Sequence, residues 1–438
     1  MSALINTSKS YLFKLSIPIF FSNIAIPFVG LVDTGLMGHL SNVKFLAAIS
    51  IATSVMTMVL WSFGFLRMGT VGLVSQAFGS KDYNEIFLVF IRNSILAILI
   101  GLTIIFFKEP IVILIEHFFK TSEETQSLIN DYISIRIISA PAELLIYVLV
   151  GFYLGLQKTY TSSLMISFFC FSNVILSALF VIHYDLEIFG VAVGTIIAAY
   201  LTVIIFLIFS YFQFRNKIKI SLTYKKIFNT KKILKLFNIN FDIFIRTILL
   251  TFSFLWFTYQ SSKLGENYLA INLLLMQFIM TASFFLDAYA FSTEAVIGFT
   301  IGRRAKKYFL EVVANSFQLS IFSGLIISLI YLFTFGYIIN VLTDLEYLRF
   351  LTFNYIIWIF IIPPIASVCY QFDGIFIGAS QTAEMRNGMI ISVILFILAS
   401  HFLVNNFGNH GLWLSLLFFM IIRSITLNYY FNRILKNF

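Results

Sequence analysis

Apolar runs long enough to cross a bilayer, about 20 residues each, follow one another along almost the whole chain. They cover residues 11–38, 45–78, 86–107, 126–157, 161–182, 188–214, 235–262, 267–301, 310–336, 348–378, 387–405 and 411–431. The pattern predicts twelve helices. Several exceed about 25 residues and should tilt, kink or project from the lipid. Only 215–234 reads as a linker, so the chain divides into an N-terminal half, 1–214, a basic linker, and a C-terminal half, 235–438.

The halves repeat. The second helix ends at Gly79 and the eighth at Gly302. The fourth carries Gly151 and Gly155, the tenth Gly374 and Gly378. One offset relates them (302 − 79 = 223), and 151 − 79 equals 374 − 302. Six spans per half leave both copies facing the same way, as parallel repeats about a pseudo-twofold axis along the membrane normal. Such an architecture implies a path between two lobes that opens alternately to either side.

Composition agrees with lipid as the solvent. The 438 residues are 60% hydrophobic and 11% charged, against about 25% charged in soluble domains. The two cysteines, Cys170 and Cys369, lie far apart in apolar segments, which suits neither a disulfide framework nor a metal site. The formal charge of +9 does not indicate nucleic acid, because the basic residues sit in short loops. With an even number of spans both termini share one side. That side holds Lys81, Lys158, Arg303, Arg304, Lys306, Lys307 and the linker lysines, and the other holds few: Lys44, Lys108, Lys120, Lys263 and Arg349. The positive-inside rule places both termini in the cytoplasm. The first span is too long for a signal-peptide core and reads as a retained helix.

Asp33 stands inside that first span. A carboxylate at the centre of a membrane helix costs roughly 2.5–3.5 kcal/mol on insertion scales, so its presence asks for a reason. It can couple transport to an ion by gaining and losing a proton, or it can pair with Arg67 or Arg136. Ile26, Gly30, Asp33 and Met37 share one helical face, and Gly30 should allow close approach. Pro18 and Pro27 are two weak points at which the helix can bend. Asn173 and Ser177, one turn apart, and Thr195 after Gly194 could complete a polar network, or serve as interhelical glue. Arg136 and Glu143, seven residues apart, and Arg67 read as structural ion-pair members. Asp287, Glu294 and Asp373 in the second half form either a second cation site or an anchor for the bundle. Enzyme signatures are missing: there is no Gly-x-Ser-x-Gly, no His-Glu-x-x-His and no phosphate-cradling loop. No cofactor is expected.

Four stretches together resemble one family: Leu-Val-Asp-Thr-Gly-Leu-Met-Gly-His-Leu (31–40), Phe-Leu-Arg-Met-Gly-Thr-Val-Gly-Leu-Val-Ser-Gln-Ala-Phe-Gly (65–79), Asp-Ala-Tyr-Ala-Phe-Ser-Thr-Glu-Ala (287–295) and Asp-Gly-Ile-Phe-Ile-Gly-Ala (373–379). The chain is similar, nearly end to end, to the multidrug and toxic compound extrusion (MATE) transporters, in their DNA-damage-inducible F (DinF) branch. The resemblance implies an all-α integral membrane protein with two six-helix lobes in a V around a central cleft. It implies a monomeric secondary antiporter of the cytoplasmic membrane, exporting amphiphilic or cationic organic compounds in exchange for H⁺ or Na⁺. Asp33 matches the family's proposed protonation site, Pro18 the proline of helix-one bending, and Asn173 and Thr195 members of the polar network. Some relatives carry an acid where this chain has Ser177, which leaves the ion and the stoichiometry open. Flipping of a lipid-linked precursor, an activity of related transporters, is the alternative. It would call for several deep cations, and the first half offers Arg67 and Arg136.

Overall fold

The computed structural model describes residues 6–38, 43–119, 121–215, 223–436 and 438. Lys120, Lys217, Lys219 and the end of the first motif, His39 and Leu40, lie outside them. Eleven helices among the described residues are long and apolar enough to cross a membrane. They are α1 (Lys9–Gly38), then α2 (Lys44–Gly79), α3 (Tyr83–Phe106), α4 (Glu123–Gly155), α5 (Thr159–His183), α6 (Glu187–Phe214), α7 (Tyr224–Leu264), α8 (Glu266–Gly302), α9 (Lys306–Leu342) and α10 (Ile356–Gly378). The last, Thr382–Leu435, is 54 residues long.

That last helix is two spans. Gly408 has φ 55° and ψ −133°, a conformation that no α-helix contains and that glycine adopts without a Cβ penalty. The chain reverses there. A methyl group at Gly388 would sit 3.0 Å from the Thr426 hydroxyl, and Arg433 pairs with Glu384 at 3.2 Å. The arms α11 (382–407) and α12 (409–435) therefore run antiparallel, giving twelve crossings. Next to the break, Asn409 and Asn272 of α8 exchange amide hydrogen bonds (2.6 and 3.0 Å). The Asn272 carbonyl oxygen also accepts from the Trp413 indole (2.8 Å).

Other boundaries differ from the sequence pattern in detail. The tenth span begins at Ile356, because Glu346–Phe353 forms a separate short helix. A second short helix, Lys108–Phe118, follows α3. Inside α4, residues Ile137–Ser139 form a 3₁₀ turn. Pro141 lacks the N–H that Ile137 would receive, and its ring crowds that carbonyl. The Ile137 oxygen accepts from Ala140 instead.

The repeat is carried in the backbone itself. Gly79, Gly155, Gly302 and Gly378 each end a helix. Two residues beyond each lies a left-handed residue, Lys81, Gln157, Arg304 and Ser380, with φ of 60°, 59°, 54° and 54°. The following N–H returns to close the turn: Asp82 to Ala77, Lys158 to Tyr153, Ala305 to Thr300 and Gln381 to Phe376, at 2.9–3.0 Å. These are one helix-ending device in four copies.

Packing repeats as well. A methyl at Gly151 would lie 2.5 Å from the Arg67 carbonyl oxygen, and one at Gly374 would lie 2.6 Å from that of Ala290, 223 residues on. Gly101 meets Pro141 at 2.5 Å, and Gly324 meets Pro364 at 2.9 Å, again displaced by 223. Close backbone approach at small residues is how membrane helices gain dispersion energy without a hydrophobic driving force.

The fold forms two compact units, Met1–Phe20 with Phe237–Phe438, and Phe21–Leu236. The opening turns of α1 thus belong with the second half. Thr7 donates to Glu311 (2.9 Å), its carbonyl accepts from Asn315 (2.8 Å), and Ser16 donates to Ser292 (2.9 Å). Conversely the end of the linker belongs with the first half. Arg92 of α3 donates to the carbonyls of Lys226 (2.5 Å) and Ile227 (2.9 Å), and its other nitrogen pairs with Glu85 (3.0 Å). Around each unit large apolar side chains face outward, Phe106, Phe333 and Tyr337 among them, as lipid-facing residues do.

Candidate ion-coupling site

Asp33 sits in the last third of α1, which runs as one helix through both Pro18 and Pro27. Its residue is 6% exposed, and its Oδ1 atom is buried with no hydrogen-bond partner. The shared face expected from the sequence is only half buried. Asp33 and Met37 are covered, whereas Ile26 is exposed. Nothing would meet a methyl group at Gly30. The close approach expected there is absent, because no neighbouring helix covers that part of the face.

Two residues act on Asp33 from adjoining helices: Arg136 of α4 and Ser177 of α5. Ser177 is fully buried; its hydroxyl makes no hydrogen bond of good geometry but is near enough to Asp33 to act on it. It is pressed against Gly194 of α6, where a methyl would come 2.7 Å from the Ser177 nitrogen. One turn earlier on α5, the Asn173 amide donates to Thr195 on α6 at 2.7 Å. Thr195 in turn donates to the Val191 carbonyl (2.9 Å). The Asn173 oxygen stays buried without a partner. So Asp33, Ser177 and Asn173 each present an unsatisfied oxygen within one unit. Buried polar atoms are seldom left so, and three oxygens of this kind are what a proton, a water or a small cation needs.

Behind them lies an ionic group on α4. Arg136 pairs with Glu143 and donates to Ser139, and Ser139 donates to Glu143 at 2.6 Å. Tyr132 feels Arg136, Asp33 and Glu143 together. Tyr147 feels Glu143, Arg67 and Arg136, so Arg67 belongs to the same electrostatic group.

The second half repeats the site's framework but not its chemistry. Shifting Asp33 and Ser177 by 223 gives Trp256 and Ser400. There the indole N–H donates to the hydroxyl at 2.9 Å, and Ser400 donates to the Ile397 carbonyl at 2.8 Å. Nothing at that pair titrates. The acids of the second half stand elsewhere. Asp373 is held by Arg246 of α7 and by Arg423 of α12 (2.6 Å for the latter), both on Oδ2. Asp287 lies in the electrostatic neighbourhood of Tyr370, Cys369 and Arg423. Glu294 is buried in α8, its carbonyl against Gly378. Two guanidinium groups thus bind the one carboxylate of Asp373. Among the described residues no group of three or more His, Cys, Asp or Glu is arranged to hold a metal ion.

The repeat also shows in comparison with known proteins. The MatE family model matches twice, over residues 18–180 and 243–405, displaced by 225 residues and covering most of the chain. The chain belongs to the MATE family. It is 31% identical over 438 residues to the DNA damage-inducible protein F of Escherichia coli (strain K12), covering 99% of this chain and 94% of that protein. Over 250 residues it is 25% identical to the multidrug export protein MepA of Staphylococcus aureus (strain NCTC 8325 / PS 47), covering 56% and 55%. Its fold superimposes on the bent form of the Vibrio cholerae MATE transporter VcmN with a TM-score of 0.85 at 19% identity, covering 98% and 97%.

As a MATE-family protein the chain is a multi-pass membrane transporter of DinF-like type and not an enzyme. Two residues that matter to its second unit escaped sequence reading, Arg246 and Arg423. Each is an arginine within an apolar stretch, 127 and 50 residues from Asp373. An intramembrane charge is itself a sign of a partner, but nothing in the spacing names which acid.

Proposed function

We propose that this MATE-family chain is a secondary active antiporter that exports amphiphilic, often cationic, organic compounds in exchange for H⁺, with Asp33 as the coupling group. The observation that carries this reading is Asp33 itself: a buried carboxyl with one orphan oxygen, beside Ser177 and the Asn173–Thr195 pair, at a position where the second half has a tryptophan. A neutral Asp33 suits a buried site, and a charged Asp33 suits a bound organic cation. Taking up a proton on the outer side therefore weakens substrate binding, and Pro18 and Pro27 let α1 rearrange as it does so. A gradient of one pH unit supplies about 1.4 kcal/mol per proton, roughly a tenfold concentration ratio for one-to-one exchange.

The basic loops and twelve crossings support both termini in the cytoplasm and insertion in the cytoplasmic membrane. Each chain holds its own coupling site, so the monomer is the working unit. A pyrophosphate-binding flippase would draw on the two deep arginines, and one of them, Arg136, is committed to Glu143. The deciding experiment is dye efflux from proteoliposomes with a pH gradient or a Na⁺ gradient imposed separately, for the natural protein and for Asp33→Asn. The expected result is exchange driven by the pH gradient and lost in the variant. Exchange driven by Na⁺ alone, or undiminished in Asp33→Asn, would overturn it.

A further inference from the structure

The ionic group on α4 has no counterpart in the other half. Its surroundings do repeat: Tyr132, Pro141 and Tyr147 become Tyr355, Pro364 and Tyr370 at the offset of 223, and Gly101 becomes Gly324. At the same offset Arg136, Ser139 and Glu143 become Ile359, Ile362 and Ala366. A proline stands at the same place in both halves, but only α4 breaks there; α10 runs as one α-helix through Pro363 and Pro364. In the half that carries Asp33, charges span the break, Arg136 before the 3₁₀ turn, Ser139 within it and Glu143 after it.

A buried ion pair is weakly stabilising at best, and an apolar replacement often does as well or better. The second half uses that replacement, and its helix continues through the proline. The pair therefore goes with the 3₁₀ turn of α4 and is not what a helix needs to pass a proline. Arg136 also acts electrostatically on Asp33, so one guanidinium is coupled to two carboxyl groups, one on α1 and one beyond the break in α4.

We propose that Arg136 is a positioning residue for ion coupling, shared between Asp33 and Glu143, and that it links the charge on Asp33 to the shape of α4 at Pro141. The proposal rests on Asp33 being the coupling carboxyl. When Asp33 is ionised, Arg136 is drawn towards it and its hold on Glu143 slackens. When Asp33 is neutral, the pair across the break closes. The groups that face Asp33 are Arg136 and Tyr132 from α4 and Ser177 from α5, with Glu143, Tyr147 and Arg67 behind them.

The test is the pH profile of ethidium efflux from proteoliposomes for Arg136→Gln, Arg136→Lys, Glu143→Gln, the double variant Arg136→Gln/Glu143→Gln, and Asp33→Asn. Removing the cation favours the protonated carboxyl and should raise the half-maximal pH by about one unit. Removing Glu143 frees the cation for Asp33 and should lower it. The double variant should fall between, and Arg136→Lys should stay closest to the natural profile. A purely structural role moves yield and activity but cannot move the midpoint in opposite directions. Midpoints unchanged, or displaced the same way in Arg136→Gln and Glu143→Gln, would overturn the proposal while leaving Asp33 in place. A natural profile in Asp33→Asn would instead overturn the role of Asp33. Should Arg136→Gln not fold, Glu143→Gln and the double variant decide, because the double variant leaves neither partner buried alone.

Discussion

Trp256 donates its indole hydrogen to Ser400 at 2.9 Å, in the place where the other half sets Asp33 beside Ser177. One scaffold position thus holds a permanent neutral bond in one unit and a carboxyl with an unmatched oxygen in the other. The two halves share helix ends, glycine contacts and the prolines at 141 and 364. They differ where a proton could be held.

The first prediction contrasts these twins. Trp256→Phe removes one neutral hydrogen bond and leaves Ser400 bonded to Ile397. It should cost about 1 kcal/mol, read as a small fall in melting temperature in detergent, with pH-driven efflux unchanged. Ser177→Ala should leave the melting temperature within about 1 kcal/mol of the original, because its hydroxyl makes no hydrogen bond of good geometry, yet displace the pH midpoint of efflux.

Glycine substitutions should follow backbone distance. Gly151→Ala and Gly374→Ala force a methyl against a carbonyl at 2.5 and 2.6 Å and should each destabilise by about 1–3 kcal/mol. Gly30→Ala meets nothing and should melt like the natural protein. Equal tolerance at all three sites would contradict the repeated packing.

Asp373→Asn should act on folding rather than coupling. It leaves Arg246 and Arg423 buried without their shared anion, a loss on the order of 3–5 kcal/mol. Membrane yield should collapse, while the fraction that inserts keeps a normal pH midpoint of efflux. A displaced midpoint with normal yield would return Asp373 to the list of coupling acids.

At the α11–α12 reversal, Asn272→Leu strips partners from the Trp413 indole and from Asn409. Each orphaned buried group costs about 1–3 kcal/mol. Hydrogen exchange should rise around Gly408 before it rises elsewhere.

Much of this was legible in the sequence because it is local. A glycine that ends a helix, an acid inside an apolar run, and an offset that brings Gly79 onto Gly302 need no knowledge of tertiary contacts. What depends on distant partners was not legible. Asp373 read equally as a cation ligand or as an anchor, since its arginines lie on other helices. Gly30 read as a contact point, since nothing in the chain says which part of α1 is left uncovered. The first turns of α1 read as part of the first lobe, since Ser292, the partner of Ser16, is 276 residues away.

That last separation has a consequence during synthesis. Ser16 and its neighbours Leu12, Leu15 and Ile19, buried in the finished protein, leave the ribosome among the first residues, and their place in the second unit is made only when α8 emerges. At about 5–20 residues per second, the opening of α1 waits between roughly 15 and 55 seconds for its partner. A protein cut at the linker could not make two independent halves, because the piece carrying α7–α12 would lack residues already on the other fragment. The second half is completed by chain from the first, which makes the order of translation part of how this transporter is assembled.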